Sequence, residues 1–194
     1  MALTYSIMKE LGSSAPPFDL PAANPSADGL SGDRRSLDQY DAAALVIVFT
    51  CNHCPFAKHV EDALIRSAAA WADKDVQFVL ISANDARGYP EDSFDAMAAR
   101  AAAKGYPFPY LYDESQEVAK AYGAVCTPDL FVYDRDRKLV YRGRYDETRP
   151  DMGVATGKDL HDALDLLLSS GEVLAEQVPS IGCDIKWKPG NRPA

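Results

Sequence analysis

Cys51 and Cys54 are separated by Asn52 and His53, and Pro55 follows at once. Cysteines at this spacing fall about one helical turn apart on a shared face and can close a small disulfide ring. A close pair of this kind exchanges disulfides, holds half of a metal site, or packs as two small apolar groups. Zinc needs two further ligands, usually a second close pair. The remaining cysteines, Cys126 and Cys183, would have to converge with histidines from scattered positions. Haem attachment needs a histidine directly after the second cysteine, where Pro55 stands. Redox exchange is the reading whose parts are all present. No metal site is expected, and no bound cofactor is required.

The nucleophile in disulfide exchange is the thiolate. A free cysteine with a pKa of about 8.5 is only a few per cent ionised at neutral pH. Half-ionisation requires a shift of ~1.5 units, roughly 2 kcal/mol of differential stabilisation. A helix N-terminus supplies about 0.3–1 kcal/mol through its free N–H groups and dipole. His53, as an imidazolium or N–H donor, is expected to supply the rest and to make the pair more oxidising. Cys51 is therefore read as the attacking thiolate and Cys54 as the cysteine that resolves the mixed disulfide. Thr50 is grouped with His53 as a residue that tunes them.

The flanking elements are legible from their patterns. Leu45–Phe49 is a continuous β-branched and aromatic run, the signature of a strand buried on both faces. Pro55 is tolerated only in a helix's first turn, so a helix is predicted from about 52–55 to 73, with Phe56, Val60, Ala63, Leu64 and Trp71 at helical intervals. Val76–Ile81 reads as a second buried strand, and 91–104 as an alanine-rich helix ended by Gly105. A short strand over 108–112 and a short helix over 115–122 follow, the latter closed by Gly123. Strands at 130–133 and 139–141 flank an Asp-Arg-Asp-Arg turn and form a hairpin. A last helix is predicted over 158–169, capped by Thr156 with Asp159 three residues on.

Residues 1–40 are rich in Pro, Gly, Ala, Ser and Asp, and Pro16, Pro17 and Pro21 keep them out of a central sheet. Short edge strands at 18–21 and 35–37 would flank a Ser31-Gly32-Asp33 turn. The stretch after Pro179 reads as irregular. The expected organisation is one domain over 1–194, with an N-terminal extension (1–40) and a C-terminal tail (179–194). Strands alternating with helices and ending in a hairpin plus helix argue for an α/β sandwich around a mixed sheet.

The chain has 194 residues, 47% of them apolar, so material for a core is ample. A net charge of −9 argues against nucleic acid and anionic membranes as partners, since both call for a cationic face. The longest apolar stretch, 42–49, is far short of the roughly 20 residues of a membrane helix, and residues 1–17 lack an export-type apolar run. A cytoplasmic location is expected. Oligomeric state has no signature here.

A strand, a Cys-x-x-Cys at a helix start and a later Thr-Pro before a strand together resemble the thioredoxin superfamily. More narrowly, Phe49-Thr50-Cys51-Asn52-His53-Cys54-Pro55-Phe56, Ser82-Ala83-Asn84-Asp85, Tyr89-Pro90-Glu91-Asp92-Ser93-Phe94, Cys126-Thr127-Pro128-Asp129 and Cys183-Asp184-Ile185-Lys186-Trp187-Lys188 look like the peroxiredoxin-like, redoxin-type (AhpC/TSA-type) thioredoxin-domain proteins. The resemblance implies a thioredoxin-like three-layer sandwich whose N-terminal extension is a hairpin. It also implies that Pro128 is cis, and that Thr127 and Pro128 line a groove for the substrate strand. Two departures stand out. The buried acid of thioredoxins would fall near Leu45, which cannot transfer protons, and Thr50 replaces the tryptophan that usually precedes the first cysteine.

Three activities follow in order of expectation. The first is thiol–disulfide exchange with protein or small thiol substrates, reset by an external thiol donor. The second is a peroxiredoxin-like thiol peroxidase with Cys51 as the peroxidatic cysteine. The threonine that family places three residues before its cysteine is Val48 here, and its arginine is missing unless Arg142 or Arg144 reaches the site. The third is a copper carrier, for which His59 and His161 are poorly placed; both read as solvated helix-face residues. Cys126 and Cys183 are expected to form a second redox pair or a relay to Cys51 and Cys54, against the plainer reading of two small buried groups. Trp71 and Trp187 are read as core residues.

Overall fold

The computed structural model describes residues 3–193. At its centre is β4 (Ala44–Phe49), every residue of which is buried. β4 pairs in parallel with β5 (Val76–Ser82), and β5 in parallel with β6 (Tyr110–Tyr112). On its other edge β4 pairs antiparallel with β8 (Asp129–Asp134), and β8 with β9 (Leu139–Gly143). The order β6-β5-β4-β8-β9 is the expected mixed sheet.

Alternation along β4 divides the core into two layers. Ala44, Val46 and Val48 face α1 (Pro55–Trp71), α2 (Phe94–Lys104) and α4 (Lys158–Ser170), through Val60, Leu64, Trp71, Met97, Leu160 and Leu164. Leu45, Ile47 and Phe49 face α3 (Glu117–Tyr122) and the N-terminal segment, through Ala119, Tyr122, Phe18, Leu20 and Tyr40. Burial of each such large apolar side chain contributes about 1.5–3 kcal/mol, which is what holds three layers together. The N-terminal segment forms the expected separate hairpin, β2 (Asp19–Pro21) with β3 (Arg34–Ser36). No helix among the described residues is long and apolar enough to cross a membrane.

Several expectations need correction. α2 starts at Phe94, not at Glu91: the Ser93 hydroxyl accepts from Ala96 N–H and caps the helix, while Pro90–Asp92 is a separate 3₁₀ turn. Gly157 rather than Thr156 holds the N-cap position of α4, while the Thr156 hydroxyl accepts from the Lys158 N–H of the first turn at 3.3 Å. The Asp146 carboxylate reaches across and accepts from the Thr156 and Gly157 N–H groups, and Asp159 pairs with Arg144 at 2.5 Å. His161 is not solvated; it is half-buried, 2.7 Å from Ser67 Oγ and 3.2 Å from Trp71 Nε1. His59 is also half-buried and bonds Thr148 Oγ1 at 2.8 Å. Trp71 is buried as expected, and Trp187 packs half-buried on the second core layer.

The largest correction lies at the chain's end. Residues after Pro179 are not irregular throughout: β10 (Ile181–Asp184) is the middle strand of a second sheet, between β1 (Leu3–Tyr5) and β7 (Cys126–Thr127). Its four residues show no apolar alternation. Its order comes from partners more than fifty residues away in the sequence, which local pattern cannot report.

Candidate active site

β4 delivers its C-terminal end to the site. Thr50 closes that end, buried, with its N–H on the Ile81 carbonyl at 2.9 Å. Cys51 follows, and Cys54 is the residue before α1, with Pro55 opening the helix as its fixed φ requires. The Thr127–Pro128 peptide is cis. It sets Thr127 against both sulfurs: the Thr127 hydroxyl lies 3.6 Å from Cys51 Sγ, and its carbonyl oxygen 3.2 Å from Cys54 Sγ.

The two thiols are electrostatically linked: the interaction with Cys51 is the first cause that lowers the Cys54 thiol to about 4. The same interaction, then burial, then the charge of Asp92, push Cys51 up. Burial and the Asp92 charge oppose a thiolate on Cys51. Thr127 favours the opposite tautomer, since its hydroxyl can donate to a Cys51 thiolate and its carbonyl can accept from a Cys54 S–H. Two coupled groups lose their first proton easily and their second with difficulty. The pair thus gives up its first proton more readily than its second.

His53 does not act on Cys51 by a direct hydrogen bond. Its Nδ1 lies 2.5 Å from Asp92 Oδ2, and its ring stacks on Tyr89 at 4.9 Å and 13°. Cys51 Sγ, a His53 ring nitrogen and an Asp92 oxygen do lie within 4.8 Å of one another. Asp92 is fully buried, and its oxygens accept from four groups. These are Asn52 N–H at 2.7 Å, His53 N–H at 3.2 Å, His53 Nδ1, and Asn84 Nδ2 at 2.8 Å. Asn52 adds bonds from its amide to the Glu91 carbonyl and from Tyr110 to its oxygen. The loop between the cysteines is thus held by a carboxylate that sequence reasoning did not select. Asp92 reads as one more acid near a helix start. Only the 3₁₀ turn at 90–92 aims it inward.

Cys126 and Cys183 lie on the paired strands β7 and β10, one register step apart. None of the four cysteines is joined in a disulfide. Cys183 joins Cys51, Cys54 and Ala57 in a small cluster. Cys126 is fully buried, with Sγ 3.8 Å from the Pro128 carbonyl; burial, then the Asp129 charge, push its thiol up. Arg142 turns inward to a buried ion pair with Asp129 and stacks on Phe131 at 3.9 Å. Arg144 pairs with Asp159 and lines a shallow groove beside Pro128, with Phe56, Val60, Thr148 and Ile181. The backbone edge of Thr127, expected to face a substrate strand, is instead paired with β10.

A mixed sheet flanked by helices, with a cysteine pair at the first helix and a cis-proline facing it, defines a redoxin-type protein of the thioredoxin fold. The AhpC/TSA family model matches residues 11–142, more than half of the chain, and the chain belongs to that family. Two solved structures resemble it over nearly their whole length. An uncharacterized conserved protein from Geobacillus kaustophilus is 51% identical, with a TM-score of 0.91 and 98% of each chain covered. A hypothetical protein from Sinorhizobium meliloti 1021 is 44% identical, with a TM-score of 0.90, covering 96% of this chain and 100% of its own. The thioredoxin domain of a thiol-disulfide oxidoreductase from Bacteroides vulgatus shares the fold at 19% identity, with a TM-score of 0.56 and coverage of 80% and 98%. Comparison with curated proteins found no match.

Proposed function

We propose that this chain is a thiol–disulfide oxidoreductase that cycles Cys51 and Cys54 between dithiol and disulfide. The observation that carries the reading is the placement of the pair: Cys51 and Cys54 lie in front of α1 beside a cis-proline, with the Thr127 hydroxyl 3.6 Å from Cys51 Sγ and the Thr127 carbonyl oxygen 3.2 Å from Cys54 Sγ. Cys51 has the greater exposure, 5% against 0%, so it is the sulfur that meets the substrate. As Cys51 attacks a substrate disulfide, its proton passes to the Cys54 thiolate, which acts as the base. The Thr127 hydroxyl steadies the charge forming on Cys51. One substrate sulfur leaves as a thiolate, and the other stays bonded to Cys51. Cys54, deprotonated again, attacks Cys51 Sγ and expels the second substrate sulfur. Two electrons pass from the protein to the substrate, and the Cys51–Cys54 disulfide remains. An external thiol donor resets it, and no bound cofactor enters the cycle.

The groove beside Pro128 is the proposed approach for a disulfide-bearing peptide or a small thiol. His53 and Asp92 hold the loop and set the potential. Insulin reduction by wild type and Cys51→Ser tests the proposal. Loss of turnover by about two orders of magnitude or more is expected; an unchanged rate overturns it.

Family membership supports a second reading, a thiol peroxidase with Cys51 as the peroxidatic sulfur. Against it, Arg142 and Arg144 are committed to Asp129 and Asp159. Stopped-flow oxidation of the reduced protein by hydrogen peroxide separates the two: the exchange reading expects slow oxidation, at the rate of an ordinary thiol.

A further inference from the structure

Cys54 has two sulfur neighbours. One is Cys51. The other is Cys183, which packs with Cys54 in the same small cluster and interacts with it electrostatically. Cys183 arrives on β10, in register with Thr127, the residue that touches both sulfurs of the exchange pair. The approach is unusually close. A Cβ on Gly182 would stand 2.0 Å from the Thr127 carbonyl oxygen, so only glycine lets this backbone lie there. The segment is then secured on both sides. Ser6 N–H bonds the Ser180 carbonyl at 2.9 Å, and Lys186 N–H bonds Asn84 Oδ1 at 2.8 Å. Cys183 is thus a thiol held by rigid elements against the more buried cysteine of the pair, and the mechanism above leaves it unused.

We propose that Cys183 is a third redox cysteine, which takes over Cys54 in a Cys54–Cys183 disulfide and frees Cys51. The inference rests on the dithiol reading of Cys51 and Cys54. The step starts from the Cys51–Cys54 disulfide. The Cys183 sulfur attacks Cys54 Sγ, the Cys51–Cys54 bond breaks, and Cys51 leaves as the thiolate. The proton lost by Cys183 ends on Cys51. One disulfide replaces another, and no oxidant or reductant is consumed. The oxidising equivalent then rests on two sulfurs that are 0% and 2% exposed, while the more accessible Cys51 is a free thiol again.

The charges around Cys183 time this step. In the dithiol state burial first, and then Cys54, push the Cys183 thiol up to about 12, so it stays protonated and inert. Oxidation of Cys54 removes that interaction and that negative charge, while Lys186, which pulls the Cys183 thiol down, remains. Cys183 is thus easier to deprotonate once its target is a disulfide, although burial still raises its thiol.

The test is controlled oxidation with diamide, which takes up two electrons and two protons per disulfide. Peptides are mapped after acid quenching and alkylation. Cys51→Ser should lose two thiols per chain and yield a Cys54–Cys183 peptide. Retention of its three thiols, or a link to Cys126, overturns the proposal. Oxidised wild type should contain the Cys54–Cys183 peptide beside the Cys51–Cys54 one, and glutathione should reduce it several-fold more slowly than oxidised Cys183→Ala. Equal reduction rates, or wild type carrying Cys51–Cys54 alone, overturn the proposal without dependence on how the Cys51 variant folds. Cys183→Ala should still form Cys51–Cys54 and reduce insulin. If it does while the other arms fail, the third cysteine is refuted and the exchange function stands. If it forms no Cys51–Cys54 disulfide at all, the underlying reading fails, and the proposal with it.

Discussion

At Cys54 a single lowered thiol makes titration the most direct probe of the site. A depressed pKa means that the charge is present above it and lost below it. The ultraviolet thiolate signal of the reduced protein should persist from neutral pH downward and vanish around pH 4. In Cys54→Ser that signal should be absent at neutral pH, because burial and Asp92 still hold Cys51 up. A full thiolate signal in that variant would place the charge on Cys51 after all. Asp92 pushes Cys51 upward, so Asp92→Asn should lower it, and alkylation of Cys51 at neutral pH should accelerate. The same change disturbs a fourfold-bonded buried group at a cost of about 1–3 kcal/mol, so urea unfolding must be measured alongside. His53→Pro removes the Asp92 contact and the Tyr89 stack. The equilibrium with glutathione should then shift toward the disulfide, and an unchanged potential would show that His53 does not tune the pair.

Among the elements, β10 does most to give the site its shape, and glycine is what allows it. Gly182→Ala puts a methyl into the Thr127 backbone, a rigid neighbour that cannot rotate away. The expected loss is at the upper end of the ~1–3 kcal/mol typical of overpacking. At about 2–4 °C per kcal/mol for a chain of this size, melting should fall by several degrees. Displacing the strand also uncovers Cys54 and Cys183, which should alkylate faster than in wild type. An unaltered melting temperature would mean that β10 does not pack as described. The 3₁₀ turn over Pro90–Asp92 plays a similar part from the other side. A continuous helix from residue 91 would carry Asp92 on a helix face, and the cysteine loop would lose its anchor.

Across the whole molecule, Asp129 and Arg142 form a fully buried ion pair between two core strands, just behind the cis-proline. Removing one partner leaves a buried charge uncompensated, at a cost of about 3–5 kcal/mol. The pH dependence of that loss has a definite sign. Burial raises Asp129 above the ordinary carboxyl value even beside Arg142. A raised acid stabilises the fold below its unfolded pKa, and that stability is lost as pH rises through the folded pKa. Arg142→Met raises Asp129 further, so the variant should lose more urea stability at about pH 8 than at about pH 5. A loss equal at both would mean that the carboxylate is not the burdened group. The same pair explains why Arg142 is a poor candidate for a peroxide-polarising residue: releasing it to solvent would strand Asp129 in the core.

The sheet, the helices and the cysteine pair were legible in the sequence because each is written locally. An unbroken apolar run marks β4, helical spacing marks α1, Pro55 marks its first turn, and two residues of separation mark the pair. Fold class follows from those signals in order, while the family was legible only through the resemblance of longer motif blocks. What contacts the pair was decided only by tertiary packing. Asp92 looks like an ordinary helix-start acid until a short turn buries it against His53 and Asn52. Cys183 sits in a segment without strand pattern and reaches the Cys54 cluster because β10 borrows its order from β7 and β1. The ionisation of the pair lay beyond the sequence for the same reason. Ionisation depends on burial and on charges brought in from distant parts of the chain, and no local spacing encodes either.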